Sequence, residues 1–70
     1  MNLTEKEQAI DKQMHIAVIL SNLVDINNTI IGAINFNNKT CFDYQKIKLE
    51  EEAKDLLEYI QKLGNKEEEN

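Results

Sequence analysis

The residues best equipped for chemistry in the first half of the chain are Glu7, Asp11 and His15, which recur at four-residue intervals. On a helix that spacing stacks two carboxylates and an imidazole one turn apart, the start of a metal half-site. A structural or catalytic metal takes three or four protein ligands, and no second histidine exists to complete a set. The row therefore reads as a solvated helix stripe, and no metal is expected.

His15 is the only histidine and Ser21 the only serine, so a nucleophile, a base and an orienting group cannot be assembled. The single cysteine, Cys41, can form no intramolecular disulfide, and no lysine cluster surrounds it to favour the thiolate. It reads as a small hydrophobe. Two isolated glycines, Gly32 and Gly64, provide no phosphate-cradling loop. These absences point away from an enzyme, and no cofactor is expected.

Two clusters could bind rather than react. Phe36, Phe42 and Tyr44 are three of the four aromatic residues and lie close in sequence. They read as a partner-binding patch or, preferably, as a plug closing one end of a helical hairpin. Glu50, Glu51, Glu52, Asp55 and Glu58 concentrate negative charge, in the manner of a decoy for the phosphates of DNA. Lys46, Lys48, Lys54 and Lys62 are interleaved with them, so an exposed, self-neutralised helix face is the preferred meaning. Direct nucleic-acid binding is disfavoured, because the net charge is −5 and arginine, the usual bidentate reader of phosphate and guanine, is absent.

The elements that must position these residues are helices. Thr4 and Glu7 have the spacing of a capping box. Ile16, Leu20, Leu23, Ile30 and Ile34 then follow a heptad-like seam whose missing member is Asn27, with Met14, Ala17, Val24 and Ile31 widening the apolar face. Asp11, His15, Asn22, Asp25, Thr29 and Gly32 line the other side. A first helix over about 4–35 is predicted, with a bend or break allowed near 27–28, where Asn27, Asn28 and Thr29 have poor helix propensity. The alternative is an α+β chain of order α-β-β-α with a hairpin over 29–44, since Thr40, Phe42 and Tyr44 alternate and Asn37–Asn38 suits a turn. The helical reading is preferred because the polar stripe stays in phase through the disputed stretch.

Asp43 is a plausible N-cap for a second helix over about 43–63. Its seam is Leu49, Ala53, Leu56, Ile60 and Leu63, flanked by Leu57 and Tyr59, with Glu50–Lys54 and Glu58–Lys62 as i,i+4 pairs. Gly64–Asn65 marks its stop. The prediction is one all-α domain over 1–64, an antiparallel helical hairpin, followed by an acidic disordered tail over 65–70.

Seventy residues without a disulfide or metal make a small core, and oligomerisation is the usual remedy. The broad face of the first helix suits a hairpin that packs with a second copy into a four-helix bundle. The expected interface with another copy or a partner runs through Ile16, Leu20, Leu23, Asn27, Ile30 and Ile34 of the first helix. Leu49, Leu56 and Ile60 of the second complete it. Asn27, a polar residue in an apolar seam, would set register by pairing with its symmetry mate; if the helix breaks there, it is a turn residue.

The acidic N-terminus lacks the positive charge of a signal peptide, and the apolar window from Ile16 to Phe36 is interrupted by Ser21, Asn22, Asp25, Asn27, Asn28 and Asn35. A cytoplasmic chain without a membrane span is expected. Nine isoleucines, nine asparagines and eight lysines suggest an AT-rich coding genome, such as that of a low-GC bacterium, its phage or its plasmid. The function expected is that of a small non-enzymatic regulator or inhibitor of a protein partner. Its alternatives are an acidic decoy and an oligomeric small-ligand binder with a pocket near Phe36, Phe42 and Tyr44.

Overall fold

A computed structural model describes residues 2–63. It contains two helices, α1 over Leu3–Asn35 and α2 over Lys39–Lys62, packed side by side in opposite directions. The molecule measures 52 × 20 × 10 Å, two helices wide and one helix thick. This is the all-α hairpin predicted from the sequence. The described residues contain no strand, so the α-β-β-α alternative is set aside.

α1 begins two residues earlier than the Thr4–Glu7 pair suggests. Asn2 is the N-cap: its Oδ1 accepts from the Glu5 amide at 2.8 Å, and the Glu5 carboxylate accepts from the Asn2 amide at 2.9 Å. This is a reciprocal capping box built with asparagine in the hydroxyl's place. The helix then runs unbroken through Asn27–Asn28–Thr29, where a break had been allowed. Thr29 turns its hydroxyl back onto the Asp25 carbonyl at 3.1 Å, so it does not compete for the helix's own amides. Apolar residues on either side carry the helix across this low-propensity turn.

The connection is three residues, shorter than expected, because a pair of asparagines both stops α1 and starts α2. Asn37 takes the left-handed conformation, with φ 53°, that asparagine tolerates better than other non-glycine residues. Its amide donates to the Ile34 carbonyl at 3.1 Å and that of Asn38 to the Ala33 carbonyl at 2.8 Å, the two bonds of a Schellman motif. The Asn38 side chain accepts from the Cys41 amide at 3.0 Å and caps α2. Asp43, expected to be that cap, lies inside the helix and pairs with Lys39 at 2.8 Å. The predicted stop at Gly64–Asn65 and the acidic tail lie outside the described residues.

The interior is thin. Among the described residues, Ile16, Ile19, Ile26 and Ala33 are the buried ones, and no large side chain is completely enclosed. With Leu23 and Ile30 they form an uninterrupted heptad seam on α1, and the half-buried Phe42, Gln45, Leu49, Glu52, Leu56 and Tyr59 face it from α2. Both seams differ from those read in the sequence. Ile16, Leu23, Ile30, Leu49 and Leu56 do face the neighbouring helix. Leu20, Asn27, Ile34, Ala53 and Ile60 are exposed, one step around each helix. The apolar arc of α1 is too wide for periodicity alone to fix its phase.

Gly32 offers a direct check on this geometry. A methyl group added there meets nothing within 4 Å. Glycine inside a helix is about 1 kcal/mol less favourable than alanine, so Gly32→Ala is expected to raise stability by about that amount in chemical denaturation.

Candidate functional site

The two long edges of the hairpin have opposite character. Along one edge, His15 stacks on Tyr59 with ring centroids 4.1 Å apart and an interplanar angle of 23°. Two turns further along, the Asn22 side-chain amide donates to Glu52 at 3.3 Å. Lys62 reaches over the Tyr59 ring at 5.6 Å, and Lys48 over that of Tyr44 at 5.7 Å. Of these contacts, His15–Tyr59 and Asn22–Glu52 cross from α1 to α2. They also give His15 a structural partner, an aromatic ring across the groove. Among the described residues no group of three or more His, Cys, Asp or Glu side chains is placed to hold a metal ion.

The opposite edge is apolar and open. On α1, Ile10, Ala17, Val24 and Ile31 alternate at three- and four-residue steps with Gln13, Leu20, Asn27 and Ile34, a second complete heptad seam beside the buried one. Its large apolar members are about half exposed. Met14, Ser21, Asn28 and Asn35 flank it on the outer side, and neither seam nor flank contains a charged residue. Asp25, the charged residue nearest its centre in sequence, lies outside both lines and their flank. Ala53 and Ile60 extend the apolar edge onto α2.

The sequence-predicted interface is thus divided by the structure. Ile16, Leu23, Ile30, Leu49 and Leu56 are engaged within the hairpin, whereas Leu20, Asn27, Ile34 and Ile60 stand on its open edge. Sequence reasoning missed Ile19, Ile26 and Ala33 as the buried line and Ile10 as the start of the open one. The signal was present as two interleaved heptad runs, merged in the reading because they share one continuous apolar arc.

The other two clusters do not gather as expected. Phe36 is 84 % exposed, Tyr44 faces solvent, and Phe42 alone is half-buried, so the aromatic residues do not plug the end of the hairpin. With a three-residue connection, Phe36 sits at the end of α1 and Tyr44 already lies on the outer face of α2. The acids also diverge: Glu52 turns toward Asn22, Glu51 and Glu58 share the outer face, and Glu50 lies on a different one. Cys41 is half-buried with a free thiol.

By length and composition α1 would pass as a membrane span, with an 18-residue window of mean hydropathy 1.5, although its interruptions had suggested too polar a segment. Those interruptions are amides and hydroxyls; Asp25 is the one charge between Ile16 and Ala33. The mostly buried core helix of a soluble protein and a signal sequence near an N-terminus pass the same test; 22 % of this window is buried. Compared with known protein families, characterised proteins and solved structures, the chain matches none.

Proposed function

We propose that this chain is a non-enzymatic interaction protein, a helical-hairpin module that self-associates and acts by covering its open α1 edge with other helices. The observation that carries the reading is the second heptad seam, apolar except for the amides Gln13 and Asn27, free of charged residues and unoccupied by any part of the described chain. Four buried residues are a small core for an isolated domain, so association both completes the interior and performs the function. In such a protein the hydrophobic contact supplies affinity, and the mixed-charge outer surface of α2 maintains solubility.

Salt dependence tests this reading. Sedimentation is expected to show a mass above that of the monomer at micromolar concentration. That mass should persist when salt rises from about 0.1 M to about 1 M, as the screening length contracts from ~10 Å to ~3 Å. Apolar association survives this change, while a surface that works by electrostatic attraction loses most of its affinity. A chain that stays monomeric at every salt concentration, or associates only at low salt, would overturn the proposal.

A further inference from the structure

We infer that the occupant of the open edge is a second copy of this chain, docked with α1 parallel to its mate and in register, so that two hairpins form a four-helix bundle. The inference rests on the self-association proposed above and specifies its geometry. Three features of the seam support it.

The first is side-chain type. One line of the seam carries Ile10, Ala17, Val24 and Ile31, and the other carries Gln13, Leu20, Asn27 and Ile34. The β-branched residues of the first line and Leu20 on the second suit two parallel strands, and Ile34 at the end of the seam departs from that pattern.

The second feature is the seam's polar members. Gln13 and Asn27 are both amides, each able to donate and to accept. A parallel pair in register sets each amide beside its own copy, where the two satisfy one another. An antiparallel pair covering the whole seam sets Asn27 against Ala17 and Leu20 and leaves its amide unpaired. An antiparallel pair centred on Asn27 restores that contact but carries Ile10 and Ala17 past the end of the partner helix. A lipid surface would leave both amides without partners in an apolar medium.

The third feature is charge and area. A chain of net charge −5 repels its copy over most of its surface, and the neutral seam and flank are where that repulsion is weakest. The large apolar side chains of this edge, Ile10, Leu20, Val24, Ile31 and Ile34, are 48–59 % exposed, so a second copy would cover apolar surface that the hairpin alone leaves to water.

Cysteine cross-linking reads the orientation directly. Ile34→Cys and Ile10→Cys, each in a Cys41→Ser chain, replace exposed residues and leave the hairpin core untouched. The two positions are about 36 Å apart along α1. In the parallel dimer each variant oxidises readily to a disulfide-linked homodimer, and a mixture of the two yields no mixed dimer. Mixed Ile10→Cys–Ile34→Cys dimers in place of homodimers would show an antiparallel pair and overturn the inference. A dimer by mass in which neither cysteine cross-links would overturn this interface and leave self-association standing. A folded monomer at all concentrations would remove self-association as well.

Discussion

An alanine in place of Ile19 is expected to cost about 3 kcal/mol and to bring the chain close to its unfolding midpoint at room temperature. Ile19 is 3 % exposed, the most enclosed large side chain of the hairpin, and lies midway along the buried seam between Ile16 and Leu23. Removing three carbons there forfeits their burial and opens a cavity that two rigid helices cannot close. A core of this size supports roughly 3–5 kcal/mol in total, so the loss would take most of the available stability. Far-UV circular dichroism and urea denaturation at one fixed protein concentration would measure it, because association couples stability to concentration. Ile31→Ala, at a half-exposed seam position, provides the contrast: its effect should fall mainly on association. Equal losses of helix in dilute solution for the two variants would contradict the assignment of buried and open seams.

Val24→Asp is expected to abolish the proposed dimer while Val18→Asp leaves it intact. The two valines are almost equally exposed in the hairpin, at 59 % and 56 %. They differ in face: Val24 lies at the centre of the open seam, and Val18 lies beyond its flank, on the side of Asp11 and Asp25. In the proposed parallel pair the aspartate at 24 meets its own copy, so two carboxylates lose water without a counter-charge. The penalty is about 3 kcal/mol or more, a weakening of at least ~100-fold. Sedimentation equilibrium of the two variants beside the parent chain would reveal it. Dimer masses retained by Val24→Asp, or lost equally by Val18→Asp, would show that the seam is not the interface.

Much of the architecture is legible in local chemistry. The low-propensity turn at Asn27–Thr29 was the hardest part to read, and the continuous polar stripe through it was the correct guide. End positions were less legible because asparagine serves many roles. Asn2 and Asn38 act as caps where Thr4 and Asp43 seemed better candidates, and Asn37 supplies the left-handed residue that glycine usually supplies. The aromatic cluster was misread for a related reason: a shorter connection turns Phe36 and Tyr44 outward, and the length of the connection depended on those same asparagines.

Taken alone, the order of residues determined two helices, their antiparallel hairpin, and an apolar arc on α1 wider than one neighbour can cover. All of these follow from periodicity, propensity and counting. Only the tertiary structure decided which part of that arc meets α2. The line Leu49–Ala53–Leu56–Ile60–Leu63 is the more apolar stripe of α2, yet the hairpin buries the neighbouring line that includes Gln45, Glu52 and Tyr59. The physical reason lies in cross-helix partners. The contacts His15–Tyr59 and Asn22–Glu52 lie along one edge, and both helices are turned so that these partners meet there. That rotation leaves the uncharged apolar seam of α1 on the opposite edge, open to a second molecule.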